Sequence, residues 1–221
     1  RTNGGDGAIH DIDYSTVSVS NSNFINNIAR GTLSSGSYNS DGGGAIFVGS
    51  YCNLNVAGSN FINNSVYTGG DNHGRGGGAI YSHLYGTVTI SNSKFIGQFS
   101  EGNGGAVFQY SGPSTSTTGL KITDSVFINN TGSRSGGAIC GIQNLVIELT
   151  NSIFTNNSII GYEGGAILSY SNCFMTVRNS TFTNNNAPSS GGAIAIRTGG
   201  LYVYDSNFDD NTANGNGAVE G

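Results

Sequence analysis

The sequence has little charge, and positive charge is the scarcer sign. Charged residues make up 10% of the chain, with 8 Lys and Arg against 13 Asp and Glu, so that the formal net charge is −5. A nucleic-acid partner needs a basic face that neutralises phosphates. This balance argues against nucleic acid as a partner. The absence of any run of about 18 apolar residues argues against membrane insertion of this segment.

Other absences narrow the class of protein. Trp is missing, Pro occurs only twice, and the 37 Gly residues show no Gly-X-Y period, so the chain is not collagen-like. Hydrophobic residues still make up 36% of the chain, which argues against disorder. The sequence begins at Arg1 rather than Met and stops soon after a new repeat begins, so we expect an excerpt of a longer protein.

The chain has three cysteines, an odd number for a disulfide framework. Cys52 and Cys173 occupy equivalent places in the repeat described below, but four repeats separate them, which exceeds disulfide reach. Cys140 and Cys173 lie on neighbouring repeats, about five residues out of register. We expect three free, mostly buried thiols that pack as small hydrophobic side chains.

What the chain has in abundance is repetition. The phrase SNFINN occupies residues 22–27 and returns at 59–64, with close copies at 125–130, 152–157, 180–185 and 206–211. It alternates with a second phrase, GGAI or GGAV, which begins at residues 43, 77, 104, 136, 164 and 191 and has degenerate copies near both ends. Two interleaved phrases with a period of about 25–37 residues predict a solenoid.

Alignment of the repeats indicates the secondary structure. Five and seven residues before each Phe lie apolar side chains with a polar residue between them, the period-2 pattern of a strand with one buried face. Next comes a position that holds only Asn, Asp or Gly, which tolerate a left-handed backbone at a bend. The Phe phrase then supplies a second short strand and the GGA phrase a third. We expect the Gly pair to allow a tight turn where a side chain would collide.

Three short strands per coil, separated by bends, describe a parallel β-helix. Helical solenoids are disfavoured because Gly, Asn and Thr recur at fixed positions. We predict that residues 1–221 form one all-β segment, a single-stranded right-handed parallel β-helix of about seven coils. The hand follows the general preference of parallel crossovers. Insertions interrupt the repeat at residues 28–41, 65–75 and 111–119.

Stacking of the coils brings equivalent residues together, which predicts two continuous ladders. The aromatic ladder consists of Phe24, Phe61, Phe95, Phe127, Phe154, Phe182 and Phe208. The amide ladder consists of Asn27, Asn64, Asn130, Asn157, Asn185 and Asn211, with Gln98 in the remaining coil. Because an amide both donates and accepts, stacked Asn side chains can satisfy one another and the backbone of the bend.

The alternation of GGA(I/V) with the FxxN of the Phe phrase resembles the passenger repeats of chlamydial polymorphic membrane proteins. It is also similar to adhesin-like surface proteins of some archaea and protists. The resemblance covers essentially the whole chain, with departures at SKFIGQ from Ser93 and at Asp6 and Asn216, which replace the first Gly of the terminal copies. It implies a right-handed β-helix on the cell surface that mediates attachment.

Candidate catalytic and metal-binding residues are sparse. Glycoside hydrolysis usually needs two facing carboxylates. The nearest pairs, Asp11 with Asp13 and Asp209 with Asp210, are better explained as exposed acids or bend formers. The three His residues lack metal-ligand spacing, and the basic residues are scattered. We therefore predict no catalytic residues, no metal and no cofactor. Function as a polysaccharide lyase or hydrolase ranks third, after the two non-enzymatic functions given below.

Binding specificity should reside where the coils differ. The insertions at 28–41 and 65–75 leave the same corner on adjacent coils, and loops on rigid scaffolds commonly carry recognition, although merely tolerated insertions would look the same. If side chains simply alternate along the strand, the residue after each GGA(I/V) points outward, and these residues form an exposed aromatic stripe. A bend at this place would bury them instead. The candidate binding residues are Tyr38, Asp41, Tyr67, Asp71, His73, Arg75, Phe47, Tyr81 and Phe108.

The sequence favours a non-enzymatic adhesin segment on the extracellular surface, in contact with a protein or glycan of a host or neighbouring cell. The alternative is a structural stalk, filament or surface-layer component, in which rods associate along their axis through open β-helix ends. Four sequons, at Asn63, Asn129, Asn156 and Asn179, are candidate glycosylation sites, although the repeat's own need for Asn explains three of them.

Overall fold

The computed structural model describes residues 7–30, 42–68, 75–215, 217 and 219–220, and it shows a stack of short parallel strands. No helix occurs among these residues. Each coil contributes one strand to each of four sheets, which we number in chain order. The stacked coils form a right-handed parallel β-helix of about seven coils, and the predicted fold class is confirmed. In the part of the chain described, no helical segment is long and apolar enough to cross a membrane.

The first and second sheets follow the GGA phrase in each coil. The eight strands of the first sheet are β1 (Ile9–Asp11), β5 (Ile46–Val48), β9 (Ile80–Ser82), β13 (Val107–Gln109), β17 (Ile139–Ile142), β21 (Ile167–Tyr170), β25 (Ile194–Ile196) and β29 (Val219–Glu220). The seven strands of the second sheet are β2 (Thr16–Ser20), β6 (Asn53–Ala57), β10 (Thr87–Ser91), β14 (Thr118–Thr123), β18 (Val146–Thr150), β22 (Cys173–Arg178) and β26 (Gly199–Tyr204).

The third and fourth sheets lie on either side of the FxxN bend. The strands of the third sheet carry the repeated Phe and are β3 (Asn23–Ile25), β7 (Asn60–Ile62), β11 (Lys94–Ile96), β15 (Val126–Ile128), β19 (Ile153–Thr155), β23 (Thr181–Thr183) and β27 (Asn207–Asp209). The strands of the fourth sheet are β4 (Ile28–Arg30), β8 (Ser65–Tyr67), β12 (Phe99–Ser100), β16 (Thr131–Gly132), β20 (Ser158–Ile159), β24 (Asn186–Ala187) and β28 (Thr212–Ala213).

The fourth sheet corrects the prediction of three strands per coil. Its strands are two or three residues long, which is too short to show a period in the sequence, and each turns only one small or apolar residue inward, such as Ala29 or Val66. Residues 28–30 and 65–67, which we assigned to insertions, are regular strands of this sheet. Residues 31–41 and 69–74 of the same insertions lie outside the described residues.

The third insertion, residues 111–119, leaves a different corner, between the first and second sheets. Ser114 and Thr117 form an antiparallel bridge within it. Its last two residues, 118 and 119, already belong to strand β14.

Two left-handed bends in each coil turn the chain around the third sheet. The bend predicted from the Asn, Asp and Gly column has φ of 46–57° at Asn21, Gly58, Asn92, Asp124, Asn151, Asn179 and Asp205. A second bend has φ of 51–68° at Asn26, Asn63, Gly97, Asn129, Asn156, Asn184 and Asp210. A left-handed backbone costs most side chains about 1–2 kcal/mol, and Asn, Asp and Gly tolerate it best. The two adjacent Asn residues of the repeat therefore have different roles, since the first turns the chain and the second stacks.

The repeated Phe residues stack face to face through the centre of the rod. Successive ring centroids are 4.6–4.8 Å apart, and the ring planes are within 6° of parallel. The five central rings, from Phe61 to Phe182, are 0% exposed. The ring spacing matches the distance of about 4.7–4.9 Å between neighbouring strands, so strand pairing itself sets the stack.

The second Asn of each repeat forms the amide ladder. Asn157 donates to Oδ1 of Asn185 at 3.0 Å and to the carbonyl of Phe127 at 3.0 Å, while its own Oδ1 accepts from the backbone N and Nδ2 of Asn130 at 3.1 and 2.9 Å. Gln98 keeps the bond to the Phe carbonyl of the preceding coil, that of Phe61, but its longer side chain donates to the carbonyl of Ile96 in its own coil rather than to the next amide. The ladder thus satisfies buried amides and the backbone of the bend together.

A serine ladder runs beside the amide ladder and explains why every repeat begins with Ser. From Ser59 onward, each hydroxyl accepts from the backbone N of the Ser in the preceding coil at 3.1–3.2 Å. The same hydroxyl donates to the carbonyl two residues earlier at 2.7–2.9 Å. Ser is small enough for the bend and can accept and donate at once.

Replacement of Asn157 by Ala should lower the free energy of unfolding by at least about 2 kcal/mol, because each buried group left without a partner costs about 1–3 kcal/mol. Urea unfolding followed by far-ultraviolet circular dichroism measures the change. Asn55→Ala is the matched control, since Asn55 is exposed on the second sheet, and its effect should stay within about 0.5 kcal/mol. Equal losses in both variants would contradict a special role for the ladder.

Candidate functional site

The outer face of the first sheet carries a second apolar layer. Tyr81, Phe108, Cys140 and Ile142 form a buried cluster separate from the central core. Three further aromatic side chains, of Phe47, Tyr110 and Tyr170, pack against this cluster. The layer runs along the rod because alternate residues of stacked strands point the same way.

The position after GGA(I/V) matches neither of its two interpretations in full. Tyr81 is 2% exposed and Phe108 is 0% exposed, whereas Phe47 is partly exposed. The predicted exposed stripe is therefore wrong for Tyr81 and Phe108. They point away from the core, as alternation requires, but they are covered and present no surface to a ligand.

The Gly pair explains how the chain passes so close to this face. A Cβ on Gly136 would lie 2.0 Å from the carbonyl oxygen of Ile139 and 3.1 Å from the amide of Cys140. The chain entering the strand therefore folds back over the strand's own peptide groups, and φ of 68° at Gly136 allows that turn. The residues just before the GGA phrases at 104, 136 and 164 form one rim of the first sheet's outer face.

A groove opens between this rim and the strands of the first sheet. Its volume is about 410 Å³. It is lined by Asn103, Arg134, Ser135, Tyr162, Leu168, Tyr170 and Arg197. We name it the arginine–tyrosine groove. Residues that are far apart in sequence contribute to it, because the corner segments of consecutive coils lie side by side. The parallel bridge between Asn103 and Ser135 is an example.

The polar groups of the groove surround a half-buried phenol. Burial is the main reason that the pKa of Tyr170 is raised to about 12, and Cys140 and Tyr110 add to the rise. Arg134 and Arg197 act in the opposite direction through their positive charge, which places both guanidinium groups within electrostatic reach of the phenol. The Tyr170 hydroxyl therefore stays protonated at neutral pH.

The remaining groove residues provide a fixed cation and an open ring. Nε of Arg197 lies 2.7 Å from Oε2 of Glu163, and its Nη2 lies 3.2 Å from Oε1, a two-pronged contact that orients the guanidinium. Tyr162 is 57% exposed at the rim, and Leu168, at 2% exposure, lies in the buried floor. The groove combines positive charge, hydroxyl and amide groups and aromatic rings.

Of the candidate binding residues on the insertions, only Tyr67 and Arg75 fall among the described residues. The guanidinium carbon of Arg75 lies 4.4 Å from the ring centroid of Tyr110, and Nη2 lies 3.3 Å from its hydroxyl. Tyr67 is 37% exposed on strand β8, with Arg30 over its ring at 5.0 Å. The other four candidates, Tyr38, Asp41, Asp71 and His73, lie outside the described residues.

Asp11, Asp13 and His83 are engaged in structural contacts. Asp11 accepts a hydrogen bond from the hydroxyl of Ser15, and Asp13 accepts one from the backbone N of Ser50 at 2.6 Å. His83 is packed near Tyr110, and burial followed by the charge of Arg75 lowers its pKa. Within the described ranges, no group of three or more His, Cys, Asp and Glu residues could hold a metal ion.

A second surface feature is a tyrosine column at the corner between the first and second sheets. Tyr14, Tyr51 and Tyr85 have φ of 58–60° and are 78%, 47% and 44% exposed. Their rings follow one another at centroid distances of 4.8 and 5.1 Å. Asn144 and Asn172 hold the same position in later coils, with φ of 52° and 64°. Sequence analysis missed this column, although Tyr recurs three residues before an inward apolar residue in three consecutive coils.

The four sequon Asn residues are exposed and have left-handed backbones. Asn63, Asn129 and Asn156 occupy the second bend of their coils, whereas Asn179 occupies the first bend. Glycosylation of these residues stays a prediction.

All three cysteines are free and buried. Burial raises the pKa of Cys140 well above its ordinary value and also raises that of Cys173. Because the thiolate is the reactive form, we expect no reaction of the folded protein with a bulky thiol reagent and three equivalents after unfolding. Ser18→Cys, at an exposed position of the second sheet, is the control that should react at once. Rapid labelling of the unaltered folded protein would contradict this expectation.

Comparison with known families agrees with the geometry. Residues 124–142 and 179–197 match the family model of the Chlamydia polymorphic membrane protein repeat. Each matched segment starts at the first bend, passes through the Phe, the amide and the GGA turn, and ends on the outer face of the first sheet. The predicted resemblance to this repeat is confirmed at these two places in the chain. No curated protein and no solved structure matched the chain.

Proposed function

We propose that this chain is a non-enzymatic, adhesin-like rod at the cell surface, which attaches to a protein or glycan of a host or neighbouring cell through the outer face of the first sheet. The observation that carries the proposal is the arginine–tyrosine groove, a concave site where polar and aromatic side chains of several coils converge. Clefts of this kind are where ligands bind most often.

The uniform interior of the rod supports this location. The ladders and the inward apolar columns repeat in nearly every coil, so they contain no information that distinguishes one ligand from another. Ligand recognition must then depend on side chains that differ between coils on the outside. A location outside the cell is carried over from the matched repeat, whose family name refers to a membrane protein.

Axial association of rods is the second candidate function, and the uniform strand pairing favours it. The strands of the second sheet pair in parallel from coil to coil, from β2 to β26. The edge of such a sheet can pair with a further strand. In a stalk or filament, rods would associate in this way along their common axis.

The test is binding of the labelled protein to a panel of candidate host and neighbouring cells. The variant Arg134→Gln/Tyr162→Ala alters the groove, and Tyr14→Asn/Tyr51→Asn/Tyr85→Asn alters the tyrosine column on another corner. We expect saturable binding that only the groove variant loses. The column variant is a suitable control because Asn already occupies this left-handed position in two coils.

Equal binding by both variants would remove the groove from the proposal, and a variant lacking residues 69–74 would then test the insertion. Absence of cell binding by the unaltered protein, together with concentration-dependent association in sedimentation, would favour the axial rod. Circular dichroism of each variant establishes that binding losses do not come from unfolding.

A further inference from the structure

We propose that the arginine–tyrosine groove binds an acidic saccharide, with the sugar carboxylate at Arg134 and Arg197 and a pyranose ring against Tyr162. This inference rests on the proposed attachment function and specifies its ligand. It follows from the size, charge and side-chain chemistry of the groove.

The volume of the groove selects a small ligand. At about 410 Å³ it falls within the range of about 300–1,000 Å³ that is typical of small-molecule sites. A specific protein partner would instead cover about 800 Å² on each side. The groove therefore suits one or two sugar units at the end of a glycan.

The charged side chains that line the groove are both positive, although the protein as a whole is acidic. The chain has a net charge of −5 and only 8 Lys and Arg residues, yet two of these cations line one groove. Glu163 contacts Arg197 from the side and holds its guanidinium in place. Guanidinium groups match the two oxygens of a carboxylate, and the walls of a cleft strengthen their field.

The neutral residues of the groove favour a sugar over a simple anion. The exposed ring of Tyr162 offers an apolar face for the C–H side of a pyranose, and the half-buried Tyr170 lines the same groove. Asn103 and Ser135 add an amide and a hydroxyl to the same lining, and such groups can pair with sugar hydroxyls in either direction.

The groove is also held rigidly. Its rim residues Arg134 and Ser135 come immediately before the turn at Gly136, whose backbone lies against the strand that it enters. The backbone of Gly136 donates to the carbonyl of Glu163 in the next coil at 3.2 Å, and that of Arg134 donates to the carbonyl of Gly102 in the preceding coil at 3.0 Å. A site built on a rigid scaffold loses little conformational freedom on binding.

The experiment measures calorimetric binding of the whole chain to methyl glycosides of glucuronic, galacturonic and sialic acid. Methyl glucoside, methyl galactoside and the methyl ester of the sialic acid glycoside are the neutral counterparts, and an acidic hexapeptide represents a protein ligand. We expect at least one acidic glycoside to bind at least tenfold more tightly than its neutral counterpart. Added salt should weaken that binding, because the contact is between charges.

Variants test the roles of individual side chains. Arg134→Gln should weaken binding of the acidic glycoside at least tenfold and abolish the preference over the neutral one. Tyr162→Ala should weaken acidic and neutral glycosides by a similar factor, because it removes the ring contact and leaves the charge. Arg178→Gln is the matched control: it removes a positive charge on strand β22 of the second sheet, where Arg178 lies over Tyr204 at 3.9 Å. It should leave binding unchanged.

Each alternative outcome has a distinct meaning. Equal affinity for acidic and neutral glycosides, or tighter binding of the peptide, would overturn the acidic saccharide as the ligand. If no glycoside of the panel bound but cells were still bound through the groove, this inference would fail and the proposed attachment function would stand. If the cells were not bound either, both would fall.

Discussion

Replacement of Phe127 by Ala is expected to lower the free energy of unfolding by about 3–5 kcal/mol, the usual range for a fully buried Phe. Phe127 is 0% exposed, and its ring lies between those of Phe95 and Phe154, with both centroids 4.7 Å away. The change therefore opens a cavity in the middle of a continuous stack. Neighbouring rings cannot close it, because strand pairing fixes their spacing.

Phe24→Ala is the matched comparison for this prediction. Phe24 is 9% exposed and has a described ring neighbour only in Phe61, so we expect a loss below about 3 kcal/mol. Urea unfolding is followed by circular dichroism and by tyrosine fluorescence, which is readable because the chain has no Trp. If the central and terminal variants lost equal stability, the stack would contribute no more than ordinary apolar burial.

Replacement of Gly137 by Ala should be at least as damaging, although it adds only a methyl group. The new Cβ would lie 1.9 Å from the carbonyl oxygen of Gly165 and 2.6 Å from that of Ser158. Both obstacles are backbone atoms of the next coil, so relief requires that two coils move apart and lose strand pairing. We expect the free energy of unfolding to fall by about 3 kcal/mol or more, the upper end of overpacking effects.

Gly200→Ala is the control for the Gly137 variant. A Cβ at Gly200 would meet only side-chain atoms, those of Phe174 at 3.2 Å and Tyr202 at 3.4 Å, and these can rotate away. Its effect should stay below about 1 kcal/mol, since Ala also restricts the unfolded chain. The same urea titration compares the two variants. A Gly137→Ala protein as stable as the Gly200→Ala protein would contradict the close approach of the coils.

Much of the coil was predictable because its determinants are local. The left-handed bend was visible at Asn21 and Asp124 as a position restricted to residues that tolerate positive φ. The inward Phe and the apolar columns of the second sheet followed from two-residue alternation. The fourth sheet was not predictable, because strands such as β16 and β20 have only two residues and are defined by pairing with other coils.

The candidate site was predictable only in part. The guanidinium of Arg75 does lie against the outer face of the first sheet, but Tyr81 and Phe108 are buried there. Arg134 and Tyr170 were missed, because nothing in their own repeats distinguishes them from solvated side chains. Only a comparison of the coils could have indicated the groove. Arg or Tyr recurs just before the GGA turn, and Tyr or Arg recurs at or just after the ends of first-sheet strands.

The sequence by itself determined the coil and its stacking: the bends, the inward columns and the ladder residues depend on neighbours along the chain and on repetition of the same phrase. Only the tertiary structure decided what lies outside the rod. Each turn at a Gly pair folds the corner segment over the strand that follows, and pairing between coils then places Arg134, Tyr162 and Arg197 around one groove. These three side chains meet because pairing aligns coils of unequal length, and no single repeat determines that alignment.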